Sequence, residues 1–173
     1  IEHKDQFDGF LFGSSRVAKI NTKLLPGKVF NFGCNSCSAP EEWLRDLRIM
    51  IEKIPDYFFT IAASSTGKYH PSYALGDGGL VRHTKAAVRM AYEIFGIYKF
   101  PKRTKDIIIM ALVLHNSVKK GEEESKYTLF DHPIVACDFL KKYVNELSIS
   151  QEDVDFVCDC IASHMGRFNT SDY

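Results

Sequence analysis

The chain is expected to fold as a mostly α-helical bundle around one central buried helix at about residues 105–118. Two observations carry that expectation. Apolar residues recur at three- and four-residue spacing in five separate segments, as they do where a helix buries one face. In addition, Ile107 to Leu114 is apolar almost all round, which suits a helix sheathed by others.

The elements follow in order. In residues 1–40, Gly13, Pro26, Gly27 and Gly33 punctuate short aromatic and β-branched runs such as KVFNF. Turns and a short hairpin are expected there, giving an irregular or small β segment. From Pro40 the run PEEWLRDLRIMIEKI has acidic residues in its first turn. Its Trp43, Leu44, Leu47, Met50, Ile51 and Ile54 share a helical face, and Pro55 stops it. Residues 60–79, TIAASSTGKYHPSYALGDGG, form a long polar loop, a feature compact domains seldom keep without a use. Its STGK is not a phosphate-binding P-loop, because Ala62 stands where the first glycine belongs and Tyr69 follows the lysine. LVRHTKAAVRMAYEIFG then sets Val81, Val88, Ala91 and Phe95 along one side and ends at Gly96. TKDIIIMALVLHNSVKK is the central helix. DHPIVACDFLKKYV opens with Asp131 or His132 as cap and Pro133 in the first turn. SQEDVDFVCDCIASHMG opens on Ser150 and Asp153 in a capping-box-like pair and closes at Gly166.

The 173 residues suit one domain, with an N-terminal segment over 1–58 and a helical core over 59–173. No apolar stretch approaches the roughly 18 residues a transmembrane helix needs. IEHKDQFDGF is too charged for a signal-peptide core. Lysines plus arginines balance aspartates plus glutamates at 22 each. A net charge of zero argues against tracking long nucleic acid and favours a small ligand in a local basic pocket. The five cysteines are odd in number, and three of them, Cys137, Cys158 and Cys160, lie in helical patterns, which fits a reducing cytoplasm. Cys34 and Cys37 form a lone C-x-x-C. A zinc knuckle needs a second pair, so a turn with two free thiols is expected.

The chemistry lies in the histidines. His70, His83, His115, His132 and His164 fall in the long loop and in or at the ends of four successive helices. His115 continues the face of Ile108 and Ala111, and His164 follows Ile161 by three residues, so both are expected to point inward. A single such histidine is ordinarily a satisfied core or cap residue. Four on facing helices are how bundles build metal sites.

The order GGLVRHT, LVLHNSVKKG, DHPIVA, ASHMG resembles that of the HD-domain phosphohydrolases, over about residues 65–166. The KYHPSYALGDGG loop is similar to histidine-rich loops in the 3′→5′ exonuclease branch. The resemblance implies an HD-type helical bundle. It implies His83 and His115 as ligands of a first metal, and His132 and His164 as ligands of a second. Asn116 stands where the metal-bridging aspartate belongs, and Lys119 or Lys120 lies near the substrate phosphate. Lys68 and His70 could meet the phosphate or leaving group; a capped loop with solvated charges is the equal alternative. Imidazole and carboxylate ligands suit one or two ions of Mn, Fe, Co or Ni, whereas Mg would want more oxygen ligands.

Two departures matter. Asn116 is isosteric with aspartate but neutral, so it lacks the second anionic oxygen that bridges two cations. The chain as written is expected to be inactive or impaired, either as a naturally degenerate branch or as an Asp-to-Asn change. The family's last aspartate ligand comes on a further helix, which is expected to be truncated or disordered here, with Asp172 the sole acidic candidate after Gly166. Asp153, Asp155 and Asp159 are read as a solvated face.

The leading expectation is thus a cytoplasmic, metal-dependent phosphohydrolase or phosphodiesterase acting on a nucleotide or short oligonucleotide. A catalytically silent nucleotide- or metal-binding module is the second reading, and a helical interaction domain is the third. Phe7, Phe10, Phe12, Phe30 and Phe32 crowd the first forty residues, which could cover the pocket or form a homo-oligomer contact.

Overall fold

A computed structural model describes residues 41–68 and 70–166, together with the backbone of two short strands. The strands, β1 (Gly9–Leu11) and β2 (Val29–Asn31), pair in parallel, with Phe10 opposite Phe30. The expected hairpin is therefore replaced: residues 12–28 separate the strands, and a connection of that length permits a parallel crossover. Cys34, Cys37, Asp172 and the phenylalanine side chains before residue 41 lie outside the described residues.

The remaining elements are helical, as the periodicity requires. Helix α1 (Glu41–Lys53) buries Leu47, Met50 and Ile51, and Ile54 continues its face up to Pro55. The short α2 (Tyr57–Thr60) buries Tyr57, Phe58 and Phe59. Helices α3 (Gly79–Ile97), α4 (Lys102–Leu114), α5 (His132–Lys142) and α6 (Gln151–Ala162) complete the bundle. Helix α4 packs against both α3 and α6, and α5 packs on α6. One apolar cluster runs from Leu47 on α1 to Ala162 on α6, with Phe59, Met110, Leu114, Phe139 and Ile161 among its most buried members.

Four local devices position the site. The loop before α3 is stitched down: Ala63 N–H donates to Ala74 C=O, Leu80 N–H to Ile61 C=O, and Gly78 N–H to Thr60 C=O. Arg82 adds three donations, from Nε to Tyr73 C=O, Nη1 to Asp77 C=O and Nη2 to Leu75 C=O. Gly79 runs so close to this loop that a Cβ there would stand 2.1 Å from the Ala74 oxygen. The buried Asp46 carboxylate accepts from Ser148 N–H and Ile149 N–H, which ties α1 to the turn before α6.

Helix α4 ends at Leu114, earlier than the expected 118. His115 caps it, and Ser117 N–H bonds Leu114 C=O while Lys119 N–H bonds Asn116 C=O, so the chain continues in tight turns. Ser150 caps α6 as expected: its oxygen accepts from Asp153 N–H and its hydroxyl donates to the Asp153 carboxylate. Asp153 itself is not solvated. It is buried, and Arg103 Nε meets it at 2.6 Å. No helix among the described residues is long and apolar enough to cross a membrane.

A candidate active site lined by five histidines

The tight turns after α4 place His115, Asn116 and Lys119 along one wall of a cavity of about 570 Å³, within the usual size range of small-molecule sites. His83 comes from the second turn of α3, His132 from the first residue of α5, His164 from just beyond α6, and His70 from the stitched loop. Ser64, Ser65, Thr66, Thr128, Phe130 and Met165 complete the lining.

The five imidazoles form a continuous file. Ring centroids are 4.7 Å apart for His70 and His83, 5.5 Å for His83 and His115, 5.0 Å for His115 and His164, and 5.3 Å for His164 and His132. The Nε2 atoms of His83 and His115 are 3.4 Å apart. Two imidazoles on one tetrahedral ion with bonds of about 2.05 Å would stand at roughly that separation. Among the described residues no three His, Cys, Asp or Glu side chains close on a single point, so the arrangement is an extended row and not a cage.

Main-chain hydrogen bonds orient three of the rings. His115 Nδ1 lies 2.7 Å from Leu112 C=O, His132 Nδ1 2.8 Å from Leu129 C=O, and His164 Nδ1 2.7 Å from Ile161 C=O. A carbonyl only accepts, so each Nδ1 carries the proton in the neutral ring and each Nε2 keeps its lone pair. His132 Nε2 and Asn116 Oδ1 are buried with no partner among the described residues. Buried acceptors left in this way are costly unless something else meets them, and a cation or a donor from a ligand would do so.

Electrostatics keep these rings neutral. Burial pushes His115 down to about 3, with the neighbouring His164 adding to the shift. Burial, helped by nearby His70 and Lys119, lowers His83 to about 4. Burial also brings His132 to about 4, against the opposing bond to Leu129. Lys119 is 7% exposed. Burial lowers its ammonium to about 8, and its Nζ donates to Ala63 C=O at 2.7 Å. Among the described residues the lining contains no carboxylate, so a protonated Lys119 gives the cavity an anion-attracting floor.

The structure thus brings together His70, His83, His115, Asn116, Lys119, His132 and His164. Two expected site residues stand apart. Lys120 pairs with Glu124 and lies over the Tyr57 ring, and Lys68 is exposed in the loop, outside the lining. His164 lines the cavity while remaining exposed, at the mouth and not in the interior. Ser64, Ser65, Thr66, Thr128, Phe130 and Met165 were not singled out from the sequence. The SST run, the KYTLF run between helices and, for Met165, the ASHMG segment were their only signal.

Comparison with known proteins gives a distant match. The chain is 25% identical over 131 residues to the 3′-5′ exoribonuclease YhaM of Listeria welshimeri serovar 6b, and equally to that of Listeria monocytogenes serotype 4b. The match covers 71% of this chain and 40% of each relative's length. No family model matches the chain, and no solved structure matches it.

Proposed function

We propose that the chain is the core of an HD-type, metal-dependent phosphohydrolase acting on a nucleotide or the end of a short oligonucleotide. The observation that carries this reading is the row of imidazoles. Three are held by the main chain with Nε2 free, and the His83–His115 pair is spaced as two ligands on one ion. The distant likeness to exoribonucleases supports a phosphodiester of RNA as the substrate class.

In this reading His83 and His115 hold a first divalent ion of Mn, Fe, Co or Ni, and His132 and His164 hold a second. Asn116 Oδ1, buried in the same lining, would offer a neutral oxygen ligand. A bound ion would supply polarisation of a phosphoryl oxygen and activation of water near neutral pH. The chain's own residues do the rest. Lys119, fixed by Ala63 C=O, offers a positive charge to the phosphate. Neutral His70, held below its usual range by burial and Lys119, can accept a proton from the attacking water.

Asn116 favours a second reading, a silent nucleotide- or metal-binding module. The described lining offers no anionic ligand, and transition ions held by imidazole alone are held less tightly than with a bridging carboxylate. The test is a pair: the chain as written and Asn116→Asp, each given Mn²⁺ and a panel of nucleotides, cyclic nucleotides and short oligonucleotides. Hydrolysis by the aspartate form alone supports the hydrolase. Retention of nucleotide or metal by both forms without hydrolysis supports the module.

A further inference from the structure

Phe130 is 70% exposed although it lines the cavity. A phenylalanine left in water in a mobile loop would carry little information, but this one is held from several sides. Leu129 N–H donates to Lys119 C=O at 3.0 Å. Leu129 C=O in turn accepts from His132 Nδ1. Thr128 Oγ1 meets Ser65 Oγ at 2.9 Å, across from the loop on the opposite rim. The ring is therefore presented to solvent by a fixed backbone, directly beside the residues that would meet a phosphate. Met165 and the hydroxyls of Ser65 and Thr66 share the lining with it.

We infer that Phe130 is a stacking platform for a nucleobase, so that the mouth of the cavity binds the base while its floor binds the phosphate. This inference rests on the proposed function and names the part of the substrate that the outer cavity grips. An exposed aromatic face beside a lysine-bearing cavity with no carboxylate among its described residues matches a ligand with a planar apolar part and an anionic part. A nucleotide is such a ligand. Every base has a π-face, so the platform would be tolerant of base identity, and base–aromatic stacking contributes about five- to a hundredfold in affinity.

The experiment is fluorescence anisotropy with a 5′-labelled oligoadenylate tetramer and the same tetramer built of abasic ribonucleotides. Both are titrated with the chain as written in Mn²⁺. The intact tetramer should bind about tenfold more tightly than the abasic one. Phe130→Ala should erase that difference while leaving abasic binding unchanged, and Phe130→Trp should keep it. Because Phe130 is exposed, neither substitution empties the core, and an unshifted Tm checks this. Equal binding of the two tetramers, undetectable binding of both, or discrimination surviving in Phe130→Ala overturns the inference. Hydrolysis of a base-free diester, bis-p-nitrophenyl phosphate, by Asn116→Asp is scored separately. Hydrolysis without discrimination removes the platform and leaves the hydrolase, whereas discrimination without hydrolysis does the reverse.

Discussion

Acid should destabilise the metal-free protein between pH 7 and pH 5, and the buried imidazoles set most of the effect. In the unfolded chain a histidine protonates near 6.5. In the fold His115 is held at about 3, and His83 and His132 at about 4. Between pH 7 and 5 the unfolded state therefore takes up protons that the native state refuses, so stability falls as pH falls. Each fully buried histidine contributes a loss of about 1.8 kcal/mol over that range. His115 and His132 are 6% and 3% exposed and count in full. His83 is only half-buried, and solvent screening halves its share. Asp106 works in the opposite sense, because burial raises it to about 6 and it gains a proton in the native state first. It too is half-buried, so it returns only about 0.5 kcal/mol. These four groups together give a net loss of about 4 kcal/mol, a large share of the stability of an ordinary domain, and the lowered His70 and His164 act in the same sense. Urea unfolding followed by circular dichroism, at pH 7 and pH 5 in chelator, measures it. His115→Gln should remove about 1.8 kcal/mol of the difference. A stability unchanged within about 1 kcal/mol between the two pH values would refute the reasoning.

Three further perturbations test other parts of the structure. Gly79→Ala should cost at least about 2 kcal/mol, because the new methyl would sit on the Ala74 carbonyl; an unshifted thermal midpoint would mean that the loop does not pack there. Asp46→Ala should cost about 3 kcal/mol by stranding the Ser148 and Ile149 N–H groups, and Asp46→Asn less, which paired denaturation curves would separate. Phe139→Ala should cost about 3–5 kcal/mol, since the ring is almost wholly buried. At this chain length that is a fall in Tm on the order of 10 °C, and a shift of only a degree or two would place the ring outside the core.

Much of the fold was legible because helix periodicity and end signals are local. Pro55 ended α1, and Ser150 with Asp153 began α6, as their chemistry dictates. The end of α4 was not legible, because nothing in HNSVKK forbids helix and the turn there is fixed by tertiary packing. The histidines could be gathered in advance from their order along the chain. Lys119 could not be separated from Lys120, since one residue of rotation decides which ammonium enters the cavity and which pairs with Glu124. Asp153 read as solvated because its partner Arg103 lies 50 positions away. Phe130 carried no periodic signal at all; only the pairing of Thr128 with Ser65, 63 residues apart, places it at the rim.

The bonds from His115 and His164 to carbonyls three residues back have an evolutionary consequence. The accepting groups, Leu112 C=O and Ile161 C=O, lie in the last turns of α4 and α6, where carbonyls are left over from the i→i−4 helical ladder. Metal-binding histidines are commonly aimed by a second side chain, which must then be inherited along with the ligand. Here the aiming group is peptide backbone, identical in every amino acid. Residues 112 and 161 can therefore drift among helix formers without disturbing the orientation of the two rings, and no co-varying partner position would reveal these two histidines. What must be inherited instead is where each helix stops.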